Sequence, residues 1–196
     1  VIDFSVAAGN AVLCKAMGKI PPEKRPQVLV GTTGLGDSAV KEWGKIAKAM
    51  RSGCIFMAPN TSRGVLATIE GALRIQEVLH AFGPADVDVA IVETHHRMKK
   101  DAPSGTARMF AERLGTSHGK KTSAIPVVSV RGGGIFGEHE IRFLGSHDEI
   151  ILTHRASSRS LFAEGALDLA KWLHFSGHDF RSRLISLPEY AASLRE

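Results

Sequence analysis

Apolar and polar positions along this chain follow two different rhythms, and the change comes part-way. Over the first sixty residues, short apolar runs alternate with amphipathic stretches. Val1–Phe4 reads as the end of a strand, and Ala7–Met17 as a helix with Val12, Leu13 and Ala16 on one side. Pro21–Pro26 is a loop rich in proline and charge, and Gln27–Val30 is a short buried strand stopped by Gly31. Asp37 or Ser38 can cap the next helix, whose apolar stripe is Val40, Trp43, Ile46, Ala47 and Met50. Ser52 and Gly53 end it, and Cys54–Met57 is another strand. Strands separated by helices at this spacing predict parallel βαβ units.

Pro59, Asn60, Thr61 and Ser62 then open a long helix, Arg63–Ala81, carrying Val65, Leu66, Ile69, Leu73 and Leu79. Asp86–Thr94 is a nearly continuous apolar strand, a pattern expected of strands buried on both faces. The polar loop His95–Ser104 leads into a helix over Gly105–Leu114. From Pro126 the period becomes two. Pro126–Val130, Glu138–Leu144 and Asp148–Ala156 are strand-like, and in the second His139, Ile141 and Phe143 alternate with Glu140, Arg142 and Leu144. One buried and one polar face suit antiparallel sheet. A helix over Leu161–Leu173 and a mostly polar tail close the chain. An α/β part is thus followed by a sheet-rich part, joined near Pro59–Arg63.

Composition narrows the class. At 196 residues, with 43% hydrophobic and 23% charged residues, the chain has the balance of one globular domain or two small ones. Its apolar runs fall short of the roughly 18 residues of a membrane span. Cys14 and Cys54 imply no disulfide framework and point to a reducing compartment, the cytoplasm. Val1–Phe4 has neither the basic nor the apolar region of a secretory leader. A net charge of +5 favours anionic partners. The basic residues are scattered and aromatics are only 6%, which argues against nucleic acid.

The chemistry concentrates between Glu93 and Ala107. Two histidines, three cations and an acid sit at the C-terminal end of a buried strand, where open α/β sheets bind ligands. Pro103, Ser104, Gly105 and Thr106 start a helix, so the N–H groups of Gly105, Thr106 and Ala107 would make an anion site. Ser104 and Thr106 add hydroxyls, and Lys99 can pair with the same anion and donate a proton. His95 and His96 are adjacent and point to opposite sides of extended chain, which suits divided labour better than one shared metal. One can act as general acid while the other orients substrate. The bland alternative is a polar strand end with satisfied hydrogen bonds. Two weaker signals are the strand-to-helix turns Val30–Gly36 and Ala58–Ser62. Arg131–Gly134 and Gly137–His139 connect strands. Arg159 lies where strand gives way to helix, a surface arginine or a second clamp for a dianion.

These residues resemble the dihydrodipicolinate reductase (4-hydroxy-tetrahydrodipicolinate reductase) family of diaminopimelate and lysine biosynthesis. The core runs from Glu93 through His95, His96, Lys99, Asp101 and Pro103–Ala107. Ordered matches flank it at Asp3–Ser5, Gly31–Gly34, Ala58–Ser62, Ser129–Gly133, Gly137–His139, Ala156–Arg159 and Phe162–Ala166. The resemblance implies an incomplete Rossmann-like parallel-sheet domain of α/β class, residues 1–62 and 158–196. It also implies an α+β mixed-sheet domain for substrate binding and tetramerisation, residues 63–157. It implies His95 and Lys99 as catalytic residues, and His96, Ser104, Gly105, Thr106 and Arg159 as substrate-binding residues. Gly31, Thr32, Thr33, Ala58, Pro59, Asn60 and Ser62 would line the nicotinamide end of NADH or NADPH. The expected substrate is a small cyclic dicarboxylate and the expected assembly a homotetramer, with no metal, nucleic acid or membrane partner.

The family's glycine-rich phosphate loop, and the residue that separates NADH from NADPH, have no match here. The chain is therefore expected to be the retained part of a longer enzyme. The rival readings are an inactive substrate-binding and assembly module, a metal-dependent hydrolase on His95, His96, Asp101 and His139, and a basic nucleic-acid binder.

Overall fold

The computed structural model describes residues 1–81, 87–116 and 125–194. In chain order the strands are β1 (Ile2–Asp3), β2 (Val28–Val30), β3 (Ile55–Met57), β4 (Asp88–His95), β5 (Val127–Arg131), β6 (Gly137–Leu144), β7 (Glu149–Ala156) and β8 (Leu184–Ser186). The helices are α1 (Ala7–Lys19), α2 (Asp37–Ala49), α3 (Arg63–Ala81), α4 (Gly105–Thr116), α5 (Ser160–Ser176) and α6 (Leu187–Ser193). They divide into two compact units, Val1–Ser62 with Phe162–Glu196, and Arg63–Leu161.

The first unit is built on a parallel sheet of order β1-β2-β3-β8. Its central strands β2 and β3 are apolar throughout because both faces are covered. Val28, Val30 and Ile55 pack with Trp43, Ile46 and Ala47 of α2 and Met17 of α1. Leu29 and Phe56 pack on the other face with Ala166, Leu169 and Leu173 of α5. A buried polar knot ties the first βα turn down. Asp3 accepts hydrogen bonds from Asn10 Nδ2 (2.6 Å), Thr32 Oγ1 (2.8 Å) and Ser5 N–H (3.0 Å), and Trp43 Nε1 donates to Asn10 at 3.0 Å. Burial alone would raise the Asp3 carboxyl, but these donors outweigh it and hold it below the ordinary range.

The second unit carries a mixed sheet of order β5-β4-β6-β7. β4 and β5 are parallel, and the pairs β4–β6 and β6–β7 are antiparallel. Val65, Ile69 and Ala72 of α3, with Phe110 and Leu114 of α4, cover one face over Ile91, Ile141 and Phe143. The opposite face shows Val128, Val130 and Ile151 at 56%, 43% and 43% exposure.

The structure revises four expectations. β4 is fully buried only on the face of Ile91, Glu93 and His95, its other face being half-buried. The part of the expected strand at Asp86 lies outside the described residues. Gly36, not Asp37 or Ser38, is the N-cap of α2, which therefore starts without a side-chain cap. Pro22–Lys24 forms a 3-10 turn within the expected loop. The polar tail holds β8, parallel to β3, and α6 behind it. Its signal was a capping box, in which the Glu189 carboxylate accepts from the backbone N–H and hydroxyl of Ser186.

Candidate active site

The site forms at the C-terminal end of β4, because β4 runs straight into the loop that starts α4. Residues two apart on a strand share a face, so Glu93 and His95 both point to the helix-covered side. Glu93 is fully buried. Its carboxylate takes two parallel bonds from Arg131 on the neighbouring strand β5, Nη2 to Oε1 at 2.7 Å and Nη1 to Oε2 at 3.0 Å. The backbone N–H of Ser104 adds a third donor at 3.2 Å. The last contact is a short one from Glu93 Oε2 to His95 Nδ1. Burial works to raise the Glu93 carboxyl. Hydrogen bonds from Arg131, Ser129 and His95 override it and hold the group down at about 2.

His95 is buried and shifted below the ordinary histidine value. Desolvation drives the shift, Glu93 opposes it, and the Lys99 and Arg131 charges add to it. The His139 ring of β6 stands edge-on to His95, centroids 5.1 Å apart. Burial, then the neighbouring His95, push His139 down to about 3, so it is neutral near pH 7. Its Nε2 lies 3.1 Å from Ser104 Oγ.

Ser104 is the N-cap of α4. Its hydroxyl accepts the Ala107 N–H at 3.2 Å and is buried against His139. Within the expected anion site, the Ser104 hydroxyl and the Ala107 N–H thus bond to each other. Gly105 is exposed at the helix start, with open space where a side chain would stand, and Thr106 is half-buried beside it. Lys99 Nζ pairs with Asp101 Oδ1 at 2.8 Å, and the Lys99 N–H closes a turn onto the His96 carbonyl at 3.0 Å. His96 is half-buried. Its N–H donates to the Ile135 carbonyl at 2.7 Å, which fastens the loop to the β5–β6 connection. Arg159 is exposed just before α5, and among the described residues no hydrogen bond or ion pair joins it to Glu93, His95 or Lys99.

The expected cofactor residues all sit in the first unit, on loops that leave the C-terminal ends of β2 and β3. A Cβ at Gly31 would stand 2.9 Å from the Phe4 ring, so a side chain there would have to displace that exposed ring. Thr32 is buried, and its one hydroxyl hydrogen is shared between Asp3 and the Ser5 carbonyl. Thr33 and Pro59 are exposed, and Ala58 is buried. Asn60 Oδ1 accepts the Ser62 N–H at 2.9 Å, which shapes the start of α3. Small residues on two adjacent strand ends, beside the uncapped start of α2, fit the flat reactive end of a nicotinamide. Of the metal rival's donors, His95 and His139 stand side by side without a third. Among the described residues no three of His, Cys, Asp and Glu could hold an ion. Nor is any described helix long and apolar enough to cross a membrane.

A family model for the C-terminus of dihydrodipicolinate reductase matches residues 64–184. The chain belongs to the dihydrodipicolinate reductase family. It is 39% identical over 189 residues to a 4-hydroxy-tetrahydrodipicolinate reductase of Myxococcus xanthus (strain DK1622), covering 88% of this chain and 66% of that protein. It is 34% identical over 186 residues to the corresponding enzyme of Aquifex aeolicus (strain VF5), covering 88% and 67%. The chain thus spans about two thirds of the length of these curated relatives. A dipicolinate-bound dihydrodipicolinate reductase from Paenisporosarcina sp. TG-14 has the same fold, with a TM-score of 0.71 at 23% identity, over 94% of this chain and 70% of that one. Membership places the chain among the 4-hydroxy-tetrahydrodipicolinate reductases, oxidoreductases of lysine biosynthesis that work with a nucleotide cofactor.

Sequence reading assigned no role to Glu93, Arg131 or His139 in the reductase site. Two of them left a trace. Glu93 breaks the apolar stretch Val89–Val92, two positions before His95. His139 shares the buried phase of Ile141 and Phe143.

Proposed function

We propose that this chain reduces 4-hydroxy-tetrahydrodipicolinate to tetrahydrodipicolinate with NADH or NADPH. The observation that carries the proposal is the strand end itself. There a histidine held by a buried carboxylate stands in one loop with Lys99 and the exposed start of α4. A cyclic dicarboxylate suits this set, and dipicolinate is what the Paenisporosarcina enzyme has bound. Lys99 releases Asp101 to pair with one substrate carboxylate. Gly105 and Thr106 present the helix start to that same group, and His96 orients the ring. Arg159 clamps the second carboxylate. Residues 1–62 and 158–196 serve the cofactor, and residues 63–157 serve substrate and assembly. Gly31, Thr32, Thr33, Ala58, Pro59, Asn60 and Ser62 line the reactive end of the cofactor. When bound, the nicotinamide supplies a hydride, two electrons with one proton. His95 holds the balancing proton at Nε2 and hands it to the reduced ring, and Lys99 is the second acid within the loop. Two unpaired cysteines suit work in the reducing cytoplasm.

The test is loss of nicotinamide absorbance after adding freshly made substrate, with NADH and NADPH in turn. Turnover with either supports the proposal. Its absence with both, while a dicarboxylate still binds, leaves only a binding and assembly module. Lys99→Ala is expected to weaken binding of an inert dicarboxylate analogue by about tenfold or more, as loss of a charge-assisted bond does. Unchanged affinity by calorimetry removes Lys99 from the clamp.

The same proposal includes a homotetramer formed through the open face of the mixed sheet. Val128, Val130 and Ile151 leave apolar surface there beside the charged row Glu138, Glu140 and Arg142. Val130→Asp is expected to move the mass measured by light scattering to a smaller species. A parent chain that runs as a monomer at every concentration overturns this part.

A further inference from the structure

We infer that Glu93 is a positioning residue that fixes the tautomer of His95, keeping hydrogen on Nδ1 so that Nε2 is the nitrogen exchanging a proton with substrate. This deepens the reading of His95 as proton donor and rests on it for the catalytic part.

The argument begins with what a carboxylate can do. An ionised carboxylate only accepts hydrogen bonds. Glu93 is ionised, because Arg131 forks onto both its oxygens and the Ser104 N–H adds a further donor. The nitrogen that faces it must therefore carry hydrogen, and that nitrogen is Nδ1 of His95. In the neutral ring this leaves Nε2 without one. The geometry resists a ring flip. Glu93 is held from β5 by Arg131 and from the loop by Ser104, while the His139 ring stands against the His95 ring. On the Nε2 side the chain clears a space. A Cβ on Gly137 would stand 3.0 Å from Nε2, so glycine there is what leaves that nitrogen approachable.

A buried carboxylate within a sheet is costly unless fully paired. Arg131 supplies the pairing, yet an apolar pair would do the structural work as well. The contact to His95 is what an apolar pair would not provide. When His95 is protonated, Glu93 stabilises the imidazolium against burial and against the like charges of Lys99 and Arg131. When Nε2 gives up its proton, the ring returns to the same tautomer without turning, and no other bond changes. Neutral His139 beside it adds no charge at neutral pH.

The experiment is long-range ¹H–¹⁵N NMR on protein labelled in histidine, with His95 assigned from the signal that vanishes in H95Q. The expected parent spectrum, above the titration of the ring, has hydrogen on Nδ1 and a bare Nε2. A bare Nδ1 overturns the inference, and this reading needs no Glu93 variant. Glu93→Gln is expected to mix the tautomers and to lower kcat by about 10- to 100-fold with KM changed less than about threefold. In the H95Q background the same change is expected to cost little more, because it acts through His95. An E93Q penalty of full size in both backgrounds shows a merely structural role and overturns the inference. If H95Q itself turns over normally, the proton-donor reading fails, while the parent spectrum still decides the tautomer.

Discussion

Replacing His95 by glutamine is expected to lower kcat by about 10²- to 10⁴-fold, with KM moving by less than about threefold. Glutamine keeps a side-chain N–H for Glu93 and roughly fills the buried volume, so the change removes the titrating ring with little loss of packing. In the proposed mechanism, what goes is the proton delivered as the ring is reduced. The proposed dicarboxylate contacts, Lys99 and the start of α4, are left in place by the substitution. The pH profile should change with it. An acid must be protonated to act, so the parent rate falls as pH rises through the His95 value, which burial sets below the ordinary histidine range. That limb should disappear in H95Q. A variant with near-normal kcat, or one that keeps the limb, removes His95 from the proton transfer and leaves Lys99 as the acid.

The residues that declared themselves in the sequence were those whose chemistry is local. The His95–Thr106 segment could be read because its histidines, lysine and helix start lie within about a dozen positions. The parallel units could be read because strand and helix periods alternate at a regular spacing. What could not be read depends on partners far along the chain. Arg131 reaches Glu93 across 38 positions, and Ser104 meets His139 across 35. Neither pairing leaves a period in the sequence. Ser104 shows the consequence most plainly. As a serine before a glycine it reads as a ligand donor, and no local pattern shows that β6 brings His139 beside its hydroxyl. β8 was missed for another reason. Three residues are too few to show a period, and their burial is created by β3, more than a hundred positions away. The burial of β4 on both faces was a fair inference from an apolar run. The apolar residues on its less buried face, such as Val92, continue the exposed valines of β5, so an apolar run can also mark a half-buried face.

Gly165 and Gly71 make the same point as an experiment. Both are helical glycines, in α5 and α3, and helix propensity alone says that alanine at either position should stabilise by roughly 1 kcal/mol. The structure separates them. At Gly71 a Cβ would meet only Leu152 Cδ2 at 3.7 Å, an ordinary contact with a movable methyl. At Gly165 it would overlap the backbone carbonyl oxygen of Thr61. Backbone cannot rotate out of the way, and here it is held. Thr61 is buried, and its hydroxyl donates to the Phe162 carbonyl at 2.7 Å, fastening the end of β3 to the first turn of α5. To relieve the overlap, α5 would have to lift Ala166, Leu169 and Leu173 off Leu29 and Phe56, and so open the core of the first unit. Overpacking against a fixed partner costs on the order of 3 kcal/mol or more. For a unit of roughly 100 residues that is a fall in Tm of about 12 °C or more. Gly165→Ala is therefore expected to melt far below the parent in a calorimetric scan, and Gly71→Ala to melt at or slightly above it. If the two variants melt together, α5 does not rest on the Thr61 carbonyl. The glycine would then reflect helix history and not the close approach of two backbones.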